Sequence, residues 1–329
     1  MPQLIDSYNR SIDYLRISIT DRCNLRCVYC MPSDGIQLAH HESILRYEEL
    51  LRIIKICVSH GVTRIRLTGG EPLVRKGVVD FIKNISDIGV EDLSLTTNGV
   101  LLKEYAMALK NAGLGRVNVS LDSLKMERFK SITRADNLEE VLLGLEESFR
   151  VGLNPIKVNM VVIKGFNEDE IMDFAMLTKK MPYHIRYIEY MPFEVEAGWQ
   201  RDKCMTTMEI KDIIERYQKL IPLETPEKRT GPARRYRFSD GIGEIGFISP
   251  VSDHFCGSCN RLRLTADGKL RTCLFSDDET DVKDVIRRGA ADKEIEDILF
   301  HAVKKKPERH YINDNIFKKC SRTMSLIGG

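Results

Sequence analysis

Apolar and polar positions along this chain follow two periods that take turns. Short runs rich in β-branched residues and leucine recur at Leu15–Thr20, Arg64–Thr68, Leu93–Thr97, Arg116–Ser120, Ile156–Val162 and His184–Glu189. Each ends in small or polar residues and predicts a strand. Between them, Tyr47–His60, Val78–Ile88, Leu101–Ala112 and Leu138–Val151 carry apolar residues three and four apart. That spacing gathers the apolar side chains on one face of a helix. Strands alternating with amphipathic helices imply an α/β fold of parallel βαβ units, six of them over about two hundred residues. In parallel α/β barrels the carboxyl ends of the strands converge on one face, where ligands bind.

After the sixth unit the pattern changes. Thr206 and Glu209 have capping-box spacing and open a helix that ends before Pro222. Residues 221–235 hold Pro222, Pro226, Gly231 and Pro232 among charges and read as a linker or surface loop. A β-like segment follows at Tyr236–Ile248. The end is charged and helical, and its run Lys304-Lys305-Lys306 reads as a solvated face. The expected division is 1–220 and 221–329.

Composition narrows the class. Of 329 residues 43% are hydrophobic, enough for a core rather than a disordered chain. Fifty basic residues against 48 acidic leave a net charge of +2, which argues against a general nucleic-acid or membrane surface. Met1–Ser7 shows no basic-then-apolar leader, and no apolar run reaches the length of a membrane span. Nine cysteines in groups read as metal binding in a reducing compartment, the cytoplasm, rather than as disulfides.

The cysteines carry the candidate chemistry. Cys23, Cys27 and Cys30 have the spacing C-x3-C-x2-C. Three thiolates within eight residues hold three irons of a four-iron cluster and leave the fourth open to a small molecule. A zinc site or reduced structural cysteines are the alternatives, although the nearest histidines, His40 and His41, lie ten residues on. Cys256, Cys259 and Cys273 form a second group. The hairpin signal Asp267-Gly268 between them would fold Cys273 back toward the CxxC end. His254 would complete a zinc site there; a second open cluster is the other reading. Arg261 and Arg263 share one strand face, which suits a polyphosphate clamp or an ordinary amphipathic strand. Gly69-Gly70-Glu71-Pro72, Thr96-Thr97-Asn98-Gly99, Ser120-Leu121-Asp122, Asn159 and Glu189-Tyr190-Met191-Pro192 lie within or at the ends of their strands. Singly these are turns; their shared place in the repeat makes one site of them. Among the spare cysteines, Cys57 reads as core, Cys320 is expected at the surface near the tail, and Cys204 has no assigned role.

The first motif, with Tyr29 before its third cysteine, and the Gly69-Gly70-Glu71-Pro72 stretch resemble the radical S-adenosylmethionine superfamily. Cys256-x2-Cys259-Asn260-Arg261-Leu262-Arg263, Cys273 and the terminal Gly328-Gly329 are similar to the GTP 3′,8-cyclase family, which opens molybdenum cofactor (molybdopterin) biosynthesis. The match runs from about Leu15 to the last residue, and Asn9-Arg10 departs from the family's Gly-Arg. This resemblance implies a partial TIM barrel of six βα units, with a C-terminal extension whose second cluster closes the barrel mouth. It implies two [4Fe-4S] clusters. Cys23, Cys27 and Cys30 would hold the one that binds S-adenosylmethionine. Cys256, Cys259 and Cys273 would hold the one whose open iron takes the purine of GTP. Reductive cleavage would yield a 5′-deoxyadenosyl radical that removes the C3′ hydrogen, and the sugar radical would close onto C8. Tyr29, Gly69, Gly70, Ser120 and Met191 match the family's S-adenosylmethionine contacts. Arg16, Arg66, Thr96, Lys157 and the stretch Arg261, Leu262, Arg263 match its GTP contacts. Arg186 matches an arginine implicated in turnover, and Gly328-Gly329 match a mobile tail that enters the site. An external electron donor, a downstream cyclic pyranopterin monophosphate synthase and a homodimer are further implications.

Three other functions fit parts of the pattern. A peptide-modifying radical enzyme would use the second group as an auxiliary cluster. A two-cluster electron carrier would not need the glycine loop or the arginines, and a zinc-stabilised binding protein would need four closed ligands.

Overall fold

Six parallel strands form where the pattern predicts them: β1 (Tyr14–Ser18), β2 (Arg64–Thr68), β3 (Asp92–Thr97), β4 (Arg116–Ser120), β5 (Lys157–Val162) and β6 (His184–Glu189). The largest offset is at β1. The computed structural model describes residues 2–193, 200–224, 231–312 and 320–328. Helices α1 (Tyr47–Ser59), α2 (Val78–Ser86), α3 (Leu102–Asn111), α4 (Met126–Thr133), α5 (Leu138–Arg150) and α6 (Ile171–Lys180) connect the strands. Two of these were not singled out in the sequence. α4 is only eight residues long. α6 buries Ile171, Phe174, Ala175 and Thr178, a helical stripe interrupted by a threonine.

Each strand has an apolar and a polar face. Leu15, Ile17, Ile65, Leu67, Leu95, Val117, Val119, Val158 and Ile185 are fully buried in the main core. Arg16, Arg66, Thr96, Asn159 and Arg186 alternate with them and line a cavity on the opposite face. A filled βα barrel has branched apolar side chains inside. Here these five inward positions are polar or charged, so the barrel keeps a chamber.

The C-terminal extension continues the same sheet. After α7 (Thr207–Tyr217), whose Thr206–Glu209 capping box forms as predicted, come β7 (Ile221–Pro222), β8 (Arg234–Arg237), β9 (Glu244–Ile248), β10 (Arg261–Leu264), β11 (Lys269–Arg271) and β12 (Thr280–Asp281). The order across the sheet is β12-β11-β10-β1-β2-β3-β4-β5-β6-β9-β8-β7. β9 lies parallel to β6 and β10 parallel to β1, so both edges of the six-stranded array are covered. The segment Tyr236–Ile248, expected as one β-like run, is the end of β8, the turn of the β8–β9 hairpin and all of β9. The stretch expected as a linker pairs at both ends: Ile221 lies opposite Arg237 and Pro222 opposite Tyr236, and Arg234 and Arg235 lie opposite Phe247 and Gly246. Its residues 225–230 lie outside the described ones. Helices α8 (Lys283–Arg287), α9 (Asp292–Lys304) and α10 (Met324–Ile327) complete the described chain.

Candidate active site

All six strands β1–β6, or the loops that leave them, contribute to one cavity of about 320 Å³. Cys23, Cys27 and Cys30 reach it from the loop after β1. The Gly69-Gly70 loop after β2 packs against that loop's backbone: Gly70 N–H donates to the Thr20 carbonyl and Glu71 N–H to the Arg22 carbonyl, both at 2.8 Å. A Cβ at Gly69 would stand 2.6 Å from the Thr20 oxygen, and one at Gly70 would collide with the Arg22 carbonyl. Only glycine permits that approach. Glu71 is fully buried and accepts from Leu73 N–H at 3.0 Å, the Thr97 hydroxyl at 2.9 Å and Asn98 N–H at 2.7 Å. It brackets the ends of β2 and β3, and burial raises its carboxyl to about 7. Tyr29 donates a short hydrogen bond to Asp122, whose other oxygen accepts from Val161 N–H at 2.8 Å. Burial pushes Asp122 up to about 6.

The second cysteine group occupies the other end of the barrel. Cys256 and Cys259 precede β10, which runs parallel to β1 with Arg261 opposite Tyr14. They therefore sit where the parallel strands begin. The β10–β11 hairpin turns at Asp267-Gly268, with Gly268 at φ +81, and returns Cys273 to the same end. The expectation that the second group closes the barrel mouth is corrected in this sense: it closes the floor, and the first group lies at the mouth. All six thiols line the one cavity, and all are unpaired as disulfides.

Both groups suit iron-bound thiolates. Cys23 accepts from Leu25 N–H at 3.4 Å and from Asn98 Nδ2 at 3.8 Å. Ser325 donates to Cys30 through its hydroxyl and backbone, and His310 N–H donates to Cys256. Cys259 receives Arg261 N–H and the Lys306 ammonium. Hydrogen bonds to the sulfurs are the donor set that such clusters use. The protonation preferences differ. Burial pushes Cys30 up to about 12, whereas Arg261 and Lys306 overcome burial at Cys259 and hold it at about 7. Among the described residues, no three His, Cys, Asp or Glu side chains close around a single ion. Thiolates that each bind a different iron of a cube stand farther apart than that. His254, the alternative zinc ligand, packs its ring against His310 at 5.2 Å and is not among the cavity-lining residues.

Between the two groups the walls are cationic. In the β10–β1–β2 register, Arg16 stands beside Arg263 on one side and Arg66 on the other. Arg186 faces them from β6. Burial, then neighbouring guanidiniums, lowers Arg16 and Arg186 to about 9 and Arg263 to about 10. Arg66 falls to about 9 through burial. These groups stay charged at neutral pH, but their charge is strained by confinement. Arg66 Nε, Thr96 Oγ1 and Asn159 Oδ1 are buried without a hydrogen-bond partner among the described residues. Such a wall is built for a polyanion with hydrogen-bonding edges.

Most of the residues singled out in the sequence come together here. Tyr29, Gly69, Gly70, Ser120 and Met191 line the cavity near the first group, as do Arg16, Arg66, Thr96, Arg186, Arg261 and Arg263 farther in. Lys157 is one interior position below Asn159 on β5 and does not itself line the cavity. Leu262 points the other way, into the main core, because strand alternation turns it from its arginine neighbours. Gly328 reaches the barrel: its carbonyl accepts from Arg263 Nη1 at 2.7 Å. Gly329 lies outside the described residues. Cys57 is core, as expected, but Cys320 is buried rather than exposed, packed with Phe193 and Ile327 where the tail folds back. Lys306 is also buried, against the reading of its run as solvated. Arg10 was passed over. It donates to the carbonyls of Cys256 and Glu308 at 2.8 Å and of Pro307 at 2.6 Å, which no local pattern announces.

Residues 17–178 match the Radical SAM superfamily, and residues 183–312 match Molybdenum Cofactor Synthesis C. A GTP 3′,8-cyclase of Alkaliphilus metalliredigens is 50% identical over 98% of this chain and 99% of its own length. One from Thermodesulfovibrio yellowstonii is 52% identical over the same shares. Among solved structures, that of Streptococcus suis SuiB superposes with a TM-score of 0.63 at 14% identity, covering 93% of this chain and 75% of its own. Methylornithine synthase gives 0.51 at 14% identity over 63% and 62%. These two likenesses concern the fold alone. With half its residues shared along nearly the full length of both cyclases, the chain belongs to the GTP 3′,8-cyclase family of the radical S-adenosylmethionine superfamily.

Proposed function

We propose that this chain converts GTP to (8S)-3′,8-cyclo-7,8-dihydroguanosine 5′-triphosphate, the first step of molybdenum cofactor biosynthesis. The observation that carries the reading is a single chamber with a three-cysteine group at each end and buried arginines between. When bound, the first cluster and S-adenosylmethionine supply one-electron cleavage of the sulfonium and, through it, hydrogen-atom abstraction.

The chain's own residues bind and orient. Tyr29, Gly69, Gly70, Ser120 and Met191 hold S-adenosylmethionine at the mouth, the glycine backbone taking its ammonium. Arg16, Arg66, Arg261 and Arg263 take the triphosphate, with Thr96 beside them and Lys157 beneath. Arg186 is placed to orient the substrate during turnover. The purine then reaches the group Cys256, Cys259 and Cys273. Gly328 closes the chamber beside Arg263 and limits access of water to the reacting carbon. Choice between neighbouring C–H bonds follows from this positioning rather than from an acid or base. We assign 1–220 to the radical barrel and 221–329 to the second cluster, GTP binding and the tail. An external electron donor, a downstream cyclic pyranopterin monophosphate synthase, a homodimer and a cytoplasmic setting belong to the same reading. No helix among the described residues is long and apolar enough to cross a membrane.

The test is anaerobic turnover of the iron- and sulfide-reconstituted protein with dithionite, S-adenosylmethionine and GTP deuterated at C3′. Deuterium in 5′-deoxyadenosine together with a cyclised nucleotide is expected. Cofactor cleavage without deuterium transfer would remove GTP as substrate and leave a radical enzyme acting on something else, such as a peptide.

A further inference from the structure

Lys304 and Lys305 are exposed, yet Lys306 is only 4% exposed. α9 ends at Lys304, and the chain then turns inward. Lys306 Nζ donates to the Arg261 carbonyl at 2.9 Å and, by a short bond, to the Thr272 carbonyl. It also donates to the sulfur of Cys259. Arg261 follows Cys259 by two residues, and Thr272 immediately precedes Cys273. One ammonium therefore ties the two strands of the β10–β11 hairpin at the end where the cysteines leave it. No ion pair joins Lys306 to a carboxylate among the described residues; the sulfurs of Cys259 and Cys273 are the groups beside it that favour its charge, and Arg10 opposes it. A buried ammonium is stable only where negative charge or acceptors compensate it. Here the compensation comes from the hairpin's carbonyls and the cysteine group.

We propose that Lys306 is a positioning residue for the second cysteine group: it fixes the open end of the hairpin that carries Cys259 and Cys273 and sets positive charge against the cluster bound there. This rests on the reading of that group as a cluster site. Cluster potentials depend on net charge and on hydrogen bonds to sulfur, so removal of this ammonium makes the second cluster harder to reduce. No assignment made for the cofactor or substrate contacts includes this residue.

The experiment compares reconstituted wild type, Lys306→Gln and Lys306→Arg by iron and sulfide content and by a redox titration followed by electron paramagnetic resonance. In Lys306→Gln the second cluster's midpoint should move to more negative potential, with several-fold less of it reduced at fixed potential. The first cluster should stay at its wild-type value, and Lys306→Arg should restore most of the shift. Selective loss of the second cluster's iron in Lys306→Gln would support the positioning role as well. A wild-type midpoint with full iron in Lys306→Gln, or equal loss from both clusters, would overturn it. Wild-type protein that takes up only one cluster would overturn the cluster reading itself, and this inference with it.

Discussion

Lys157 lies beneath the chamber, and burial, followed by Arg186, Arg116 and Arg66, lowers its ammonium from the ordinary 10.5 to about 5. Folding therefore expels a proton at any pH between those values. The unfolded chain binds more protons there, so this lysine makes the nucleotide-free protein more stable as pH rises from about 5 toward 10.5, and its penalty is complete below about 5. A triphosphate reverses the preference. We expect GTP binding at pH 8 to take up a proton in wild type and not in Lys157→Met, as read by calorimetry in two buffers of different ionisation heat. The variant should also melt higher without ligand and bind GTP about tenfold more weakly, ~1.4 kcal/mol. Equal proton uptake in both proteins would place the titration elsewhere. Gly328 poses a different constraint. Its φ is +81, and a Cβ would stand 2.5 Å from Thr68 Oγ1 and 2.8 Å from Ser18 Cβ. Gly328→Ala should unseat the tail and lower cyclised product by about a hundredfold, with both clusters still assembled. Loss of iron in this variant would make the tail structural.

At the scale of elements, the β10–β11 hairpin connects the extension to the chamber. Asp267 at its turn accepts both Nη atoms of Arg322 at 3.0 and 2.9 Å, and Glu279 takes the same guanidinium at 2.8 Å. This arginine holds the segment that leads to α10 and Gly328. Arg322→Gln should leave iron content unchanged, expose the last residues to protease and reduce turnover three- to tenfold. Unaltered protease resistance would mean that Ile327 and Gly328 dock the tail unaided. The hairpin was legible because Asp267-Gly268 demands a tight turn. The pairing of β10 with β1 was not, since Ile17 and its partner Leu264 stand 247 positions apart and nothing local links the strands. Helix α6 was missed because a threonine interrupts its apolar stripe, whereas the Thr206 capping box was read correctly from two residues.

For the whole molecule, the decisive fact is that β9 and β10 cover the edges of β6 and β1. A chain stopped at residue 220 would expose two edges of parallel strand and the apolar ground beneath them. We expect it to aggregate on expression, as judged by size exclusion, while the full chain stays dispersed. A dispersed, folded 1–220 fragment would show that the barrel is independent of its extension. The cationic chamber is also a property of the whole. Arg263, Arg16 and Arg66 are neighbours across three paired strands, and Arg186 joins them in the cavity from β6.

Cysteine spacing, the βα alternation and the glycine loop were written in local sequence, because the chemistry of each needs only residues a few positions apart. They sufficed for the fold class and the first cysteine group, whereas Arg16, Arg66, Lys157 and Arg186 were reached only through the family resemblance. The tertiary structure decided what depends on distant neighbours. It put the second group at the barrel floor because β10 runs parallel to β1. It turned Leu262 into the core and left Arg261 and Arg263 facing the chamber, by strand alternation once β10 had its partner. It buried Cys320 and Lys306 because the chain after α9 folds back over the site, and burial is a property of what covers a residue rather than of the residue itself.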